Sequence, residues 1–84
     1  MTRTDFRAAF IEELTRVAPD IDPDTVGDDD RIQDDLEIDS MDVLNLVAAL
    51  HERFGLNIPE SEYDEIATSG LAAAYLASST GAAT

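Results

Sequence analysis

The sequence contains no cysteine, no lysine and no tryptophan, and it has a single histidine. Without cysteine there is no disulfide framework and no thiolate metal site, and one histidine cannot build a histidine-rich zinc site within one chain. No apolar run reaches the roughly 18 residues that span a bilayer, since the longest extends only from Leu71 to Ala77. The N-terminus also lacks a basic segment followed by an apolar stretch, so we expect a cytoplasmic protein without a membrane span.

Basic residues are scarce: five arginines face nineteen acidic residues, which gives a formal net charge of −14. This charge excludes a nucleic-acid backbone as the partner and predicts protein partners with basic patches. The chain is nevertheless 44% hydrophobic, which is too apolar for a disordered acidic tail. We therefore expect a monomer with one domain over residues 1–84, an ordered core at about 4–77 and a flexible tail at about 78–84.

The N-terminal segment shows the apolar spacing of a helix with one buried face. Apolar residues recur every three or four positions from Phe6 to Val17. Thr4 or Asp5 can cap the start of this helix, and Pro19 marks its end.

The clearest helix in the sequence runs from about residue 40 to 54. Asp39 or Ser40 can cap its start, and Gly55 suits the left-handed residue that follows a helix end. Its predicted buried stripe consists of Val43, Leu46, Val47, Leu50 and Phe54.

The segment 19–39 between these helices is rich in aspartate and interrupted by proline and glycine. A structureless loop of about 20 residues is unusual in a compact domain. We therefore expect isolated apolar residues to pin this loop across a helical core. These anchors are Ile21, Val26, Ile32, Leu36 and Ile38.

Two further helices are predicted after Gly55. Pro59 at a first helical position indicates a short helix, and Thr68 or Ser69 can cap a final one. No window alternates β-branched with polar residues, so the predicted fold is all-α. It is a small four-helix bundle of three main helices and one short helix, with a long loop between the first two. The predicted apolar faces are Tyr63 and Ile66 on the short helix and Leu71, Ala74, Tyr75 and Leu76 on the last.

The acidic loop suggests a calcium site and the single histidine suggests a hydrolytic site, but neither matches the pattern that such a site requires. Counted from Asp20, Thr25 occupies the glycine site of an EF-hand loop and Arg31 the site of its bidentate glutamate. Hydrolysis needs a nucleophile beside a base, but His51 lies about three helical turns beyond Ser40. We therefore expect no metal site and no catalytic residue.

Ser40 is the remaining candidate, because it follows Asp39 at the start of the strongest helix. Taken alone, a serine at this position is usually a helix cap. The exposed amides and positive dipole end of a helix also favour a covalently attached phosphate at the first turn. At this point both interpretations of Ser40 stay open.

The window 34–42, with the sequence DDLEIDSMD, resembles the phosphopantetheine-attachment region of acyl carrier proteins, and the likeness continues to Ile58-Pro59. The order of the helices and the anchored loop matches that family from Phe6 to about Ala77. The resemblance implies that Ser40 carries 4′-phosphopantetheine, which a phosphopantetheinyl transferase attaches from coenzyme A. The thiol of this arm would carry acyl groups as thioesters, and the carrier itself would catalyse nothing.

The resemblance also implies a set of partners and a role for several side chains. The partners would be the transferase and acyl-transferring or acyl-modifying enzymes with basic patches, in fatty-acid, polyketide or related biosynthesis. The recognition surface would comprise Asp39, Met41, Asp42, Leu44 and Glu52. The acyl-chain pocket would be bordered by Val47, Ile58, Ile66 and Leu71.

Four residues depart from the commonest pattern of the family. Met41 replaces the usual leucine after the serine, and Asn45, His51 and Arg53 occupy positions that are often acidic in fatty-acid carriers. These departures favour a freestanding carrier dedicated to one pathway. The alternative hypothesis is a small acidic interaction domain in which Asp39-Ser40 is only a helix cap, and a small hydrolase is a more distant one.

Overall fold

The computed structural model describes residues 2–80 of the chain. Within that range the structure is helical and has no strand, so the predicted all-α bundle of three main helices and one short helix is confirmed. The α-helices are α1 (Arg3–Val17), α2 (Ser40–Phe54) and α3 (Ser69–Thr80), and two 3₁₀ segments, Pro23–Thr25 and Glu60–Ile66, lie in the connections.

Helix α1 starts earlier than the sequence pattern indicated. Its N-cap is Thr2, whose hydroxyl accepts the Asp5 backbone N–H at 3.2 Å, while the Thr2 backbone N–H donates to the Asp5 carboxylate at 2.9 Å. This reciprocal pair satisfies two orphan amides at the helix start. The backbone hydrogen bond from Thr2 also lowers the pKa of Asp5. The predicted cap at Thr4 or Asp5 is therefore wrong.

The hydrophobic core lies where the three α-helices and the 3₁₀ helix Glu60–Ile66 converge. The side chains at its centre are at most 1% exposed. Burying an aliphatic or aromatic side chain of this size contributes about 1.5–3 kcal/mol. These central residues are Phe6, Phe10, Leu14, Leu46, Leu50, Ile66 and Leu76.

Helix α3 turns a different face to the core from the one predicted. Of the predicted stripe only Leu76 is buried, whereas Leu71 is 48% exposed and Ala74 is exposed. Alanine side chains are short, so a face made of them lets the helix axes approach closely. The face that meets the core consists of Ser69, Ala72, Ala73, Leu76 and Ala77.

The short helix is a 3₁₀ helix, in which hydrogen bonds join residues three apart. The Glu62 backbone N–H donates to the Pro59 carbonyl at 2.9 Å. Pro59 is the extended N-cap residue, not the first helical residue as predicted. Tyr63 is half-buried and Ile66 fully buried, so these two residues do form the inner face of the helix.

The long loop is pinned as its apolar residues indicated. Val26, Ile32 and Ile38 are buried, and Ile21 and Leu36 pack against the core. Backbone bonds add to this anchoring at the start of α3: the Ile32 N–H donates to the Ala67 carbonyl at 3.0 Å, and the Gly70 N–H to the Asp28 carbonyl at 3.1 Å. A Cβ on Gly70 would lie only 3.0 Å from that Asp28 oxygen, so the close approach favours glycine.

The C-terminal part of the chain was predicted as a flexible tail from residue 78. Helix α3 instead continues through Thr80, because the helical backbone bonds extend past the last core residue, Ala77. The rest of the predicted tail, residues 81–84, lies outside the described residues. No helix in the described part is long and apolar enough to cross a membrane.

A buried carboxylate ties α1 to α2. Glu13 is 5% exposed, and its carboxylate accepts a hydrogen bond from the Arg53 guanidinium at 2.7 Å. Arg53 also contacts Glu12 at 3.0 Å, and Arg16 lies 3.6 Å from Glu13. The hydrogen bond to Glu13 raises the pKa of Arg53, so the guanidinium of this pair stays charged.

Replacing Arg53 tests whether this ion pair supports the packing of the two helices. The substitution Arg53→Met leaves the Glu13 carboxylate buried with only the longer contact to Arg16. We expect the free energy of unfolding to fall by about 2 kcal/mol, less than the full loss of a buried pair because Arg16 remains. Urea denaturation followed by circular dichroism measures the change.

The matched control is Arg31→Met, because Arg31 forms an exposed ion pair with Asp34 at 3.6 Å. Exposed pairs contribute about 0–1 kcal/mol, so this variant should stay close to the parent protein. Equal stability losses in the two variants would contradict a special role for the buried pair.

Candidate functional site

Ser40 is the first residue of α2, and a neighbour performs the capping. The Asp39 carboxylate accepts the Asp42 backbone N–H at 2.8 Å, so Asp39 is the N-cap. Of the two predicted caps, Asp39 is therefore the one observed. The Ser40 side chain is exposed, and within residues 2–80 its hydroxyl has no hydrogen-bond partner. The hydroxyl is thus free for chemistry.

The backbone segment that leads into α2 has a defined conformation. Glu37 has a φ of 59°, the only non-glycine residue with a left-handed backbone among residues 2–80. The next residue, Ile38, is buried, and its N–H donates to the Ile32 carbonyl at 3.0 Å. The sharp turn at Glu37 followed by the buried Ile38 sets the position of the Asp39 cap. This role of Glu37 could not be predicted from the sequence, because the left-handed position is not occupied by glycine.

The electrostatic environment of Ser40 suits a phosphodiester. The positive end of the α2 dipole and the first-turn amides lie at this residue, and such ends attract phosphate groups. Ser40 is exposed and is one of the residues that line an open cavity of about 310 Å³. A covalently attached phosphopantetheine arm therefore fits this position without displacing any side chain that caps the helix.

The outward face of α2 carries Met41, Leu44 and Glu52 of the predicted recognition residues, whereas Asp42 lines a cavity with Val17 and Leu36 on a flank of the helix. Met41 is 67% exposed and Leu44 50% exposed, which is unusual for large apolar side chains. Asp39 and Glu52 are exposed and Asp42 is half-buried. Met41 and Glu52 are eleven residues apart, close to three full helical turns, so they lie on the same side of the helix. Asp39 and Asp42 are thus the carboxylates near this apolar pair, whereas Glu52 lies about 16 Å from Met41 along the helix at ~1.5 Å per residue.

Two cavities lie between α2, the loop and the 3₁₀ helix. The outer cavity, of about 310 Å³, is lined by Gln33, Ser40, Val43, Leu44, Glu60 and Tyr63. The smaller cavity, of about 100 Å³, shares Gln33, Val43 and Tyr63 with it and reaches the buried Ile32 and Ile66, but the exposed Arg31, Asp34 and Asp64 also line it. The sequence does not identify Gln33 as a site residue, because a single polar residue in a loop forms no recognisable pattern. Tyr63 was identified only as part of a helix face.

The four residues predicted to border an acyl pocket do not all meet. Ile58 and Ile66 are core residues, and Val47 packs against the same cluster. Leu71 does not belong to it, because the observed rotation of α3 leaves its side chain 48% exposed. The prediction of Leu71 as a pocket residue therefore needs correction.

His51 and the acidic residues take structural positions. The His51 Nδ1 lies 3.1 Å from the Leu56 carbonyl oxygen, so this nitrogen donates a hydrogen bond to the backbone just after the end of α2. Among residues 2–80, no group of three or more histidine, cysteine or acidic side chains is placed to hold a metal ion.

Comparisons with known proteins agree on one family. A family model for the phosphopantetheine attachment site matches residues 6–76. The acyl carrier protein of Wolinella succinogenes is 35% identical over 86% of this chain and 88% of its own length. That of Streptomyces coelicolor is 37% identical over 87% and 72%. The solved structure of the acyl carrier protein from Enterococcus faecalis superposes with a TM-score of 0.76 at 33% identity, covering 93% of this chain and 98% of the other.

Proposed function

This chain belongs to the acyl carrier protein family, and we propose that it carries acyl groups as thioesters on an arm attached to Ser40. The cofactor of the family is 4′-phosphopantetheine, bound covalently, and the protein is a carrier, not an enzyme. When bound, the arm supplies the thiol that this cysteine-free chain lacks. The proposal for Ser40 is carried by one observation: its exposed hydroxyl at the start of α2 is free because Asp39 caps the helix.

The proposed partners are the phosphopantetheinyl transferase and acyl-handling enzymes with basic patches. Met41 and Leu44 would form the apolar centre of the contact, where desolvation contributes most. The carboxylates of Asp39, Asp42 and Glu52 would meet basic side chains at its rim. The proposed carrier works as a cytoplasmic monomer, which leaves this face of α2 open to each enzyme in turn.

We further propose a carrier dedicated to one pathway of fatty-acid, polyketide or related biosynthesis. Three of the four unusual residues, Met41, Asn45 and His51, are exposed on α2. Arg53, in contrast, has an internal role, because it pairs with Glu12 and Glu13. The C-terminal half of α2 is therefore less acidic on its surface than its first turn. Partners that fit this helix would concentrate their basic residues near Ser40.

The space proposed for the start of an acyl chain begins at the outer cavity beside Ser40. Ile66 lines the neighbouring smaller cavity and belongs with Ile58 and Val47 to the packed core cluster. Leu71 is not included, because its side chain faces outward.

Modification of Ser40 tests the proposed function. Incubation with coenzyme A and a broad-specificity phosphopantetheinyl transferase should add the mass of one phosphopantetheinyl group to the parent protein and none to Ser40→Ala. Ser61→Ala is the matched control, because Ser61 is also exposed in the first turn of a helix but has no Asp39-type cap before it. Intact-mass spectrometry reads the result. A parent protein that stays unmodified while a known carrier is converted would contradict the proposal.

Reversing the charge of Asp42 tests the recognition surface. Asp39 is unsuitable, because its loss also removes the helix cap, at a cost of about 1 kcal/mol. We expect Asp42→Lys to keep a native circular dichroism spectrum and to be modified about fivefold more slowly at low salt. The difference should shrink as salt screens the charges.

The control for this variant is Asp29→Lys, which changes the same charge on the exposed loop. It should be modified at nearly the parent rate. Equal rates for Asp42→Lys and the parent at every ionic strength would remove Asp42 from the recognition surface.

A further inference from the structure

A cavity of about 350 Å³ lies where the end of α1, both ends of the long loop and the first turn of α2 meet. We call it the flank cavity, and no arginine is among its lining residues. Its apolar part includes Val17, Ile21 and Leu36, and its acidic part consists of Asp20, Glu37 and Asp42. We propose that the flank cavity receives an arginine side chain of the enzyme that docks on α2. This inference rests on the proposed function and adds to it the group by which the partner is anchored.

The carboxylates of the flank cavity have no partner of their own within residues 2–80. Asp20, Glu37 and Asp42 form no ion pair there, and their carboxylates accept no hydrogen bond. Asp42 is also half-buried, which removes part of its hydration. Three negative groups around one cavity repel the phosphodiester of the arm and attract a cation. The flank cavity therefore favours a basic group that comes from outside the chain.

The lining fits an arginine better than a metal ion. Among residues 2–80 no group of three or more histidine, cysteine or acidic side chains is placed to hold a metal ion, so these carboxylates do not converge on one small cation. A guanidinium is planar and has five N–H donors, so it can reach carboxylates on different sides of a cavity.

The apolar part of the cavity fits the aliphatic stem of the same side chain. Val17, Ile21 and Leu36 are partly buried and pack against the core, and an arginine stem can lie along such a surface while its head meets the carboxylates. Lysine has a single compact charge that is more strongly hydrated, so it suits this lining less well.

The place of the flank cavity on α2 suits an enzyme that works at Ser40. At about 100° per residue, Ser40 and Asp42 lie about 200° apart around the helix. Met41 lies between them and is 67% exposed. An enzyme seated on Met41 can therefore reach the Ser40 hydroxyl on one flank of α2 and insert an arginine on the other.

The backbone at Glu37 supports a use for its carboxylate. Its φ of 59° lies in the left-handed region, where glycine would be less strained. The chain nevertheless has a glutamate at this position, and its side chain lines the flank cavity. Such local strain is typical of positions where the side chain has a function.

The first test measures the binding of the side chain itself. Backbone amide shifts of the isotope-labelled, unmodified protein are followed by NMR during titration with N-acetyl-arginine amide or N-acetyl-lysine amide at constant ionic strength. We expect the arginine probe to shift residues 20–21, 36–38 and 42 and to bind about threefold more tightly than the lysine probe. Shifts spread evenly over the acidic loop, or equal binding of the two probes, would overturn the proposal.

Neutral variants then test whether the same carboxylates anchor an enzyme. With a transferase whose carrier-binding face is basic, Asp20→Asn and Glu37→Gln should each raise KM about threefold and leave kcat unchanged, because neither residue touches the reacting hydroxyl. Glu37→Gly should have the same effect, since it removes the carboxylate and relieves the strain of the turn. The effect should persist at high salt, because a charge enclosed between two proteins is screened less than an exposed one.

Asp24→Asn is the matched control, because Asp24 is also an exposed loop aspartate but does not line the flank cavity. Its KM at high salt should equal that of the parent protein. Parent values of KM for both Asp20→Asn and Glu37→Gln would overturn the anchoring role.

The two levels of the proposal fail in different ways. If the parent protein is not modified while a known carrier is converted, the carrier function itself is wrong. If the parent protein is modified and the neutral variants behave like it, only the inference about the flank cavity is wrong.

Discussion

The hydrogen bond from the Asp42 backbone N–H to the Asp39 carboxylate is the contact on which the site depends. A serine at the start of a helix is normally occupied as a cap, and its hydroxyl is then turned to the backbone. Here the preceding aspartate satisfies the amide, so the Ser40 hydroxyl faces solvent. The buried Ile38 and the left-handed turn at Glu37 hold Asp39 in place. Removing the cap would therefore change both the start of α2 and the availability of Ser40.

Many of the excess carboxylates have defined hydrogen-bond or ion-pair partners. In the loop, the carboxylates of Asp22, Asp30 and Asp35 accept backbone N–H groups, and each bond fixes a local turn. Four of the five arginines pair with carboxylates away from Ser40: Arg7, Arg16, Arg31 and Arg53. Among residues 2–80 no arginine forms an ion pair with Asp39 or Asp42, so their carboxylates are available to the basic side chains of the proposed partners.

The parts of the structure that the sequence predicted are those where several local signals agree. Helix α2 combines an aspartate cap, a regular apolar stripe and Gly55 in the left-handed conformation, and its bounds were predicted correctly. The loop anchors were recognised because single apolar residues in an acidic segment have few other uses. The family interpretation of the Asp39-Ser40 window is supported by the comparisons, whereas the interaction-domain and hydrolase alternatives have no such support.

Most of the features that the sequence did not predict correctly are determined by tertiary packing. Alanine gives only a weak periodic signal, so the predicted core face of α3 included the larger Leu71 and Tyr75 and left out Ala72 and Ala73, which are buried. The cap at Thr2 was missed because two other polar residues follow it closely. Cavities are formed by residues distant in sequence, which is why the joint position of Gln33 and Tyr63 beside Ser40 could not be predicted.

If Ser40 carries the arm in the cell, top-down mass spectrometry of the protein purified from its native host will detect it. We expect a chain heavier by one phosphopantetheinyl or acyl-phosphopantetheinyl group, with the added mass confined to fragments that contain Ser40. A chain isolated without any added mass, or with the mass on another hydroxyl such as that of Ser61, would contradict it.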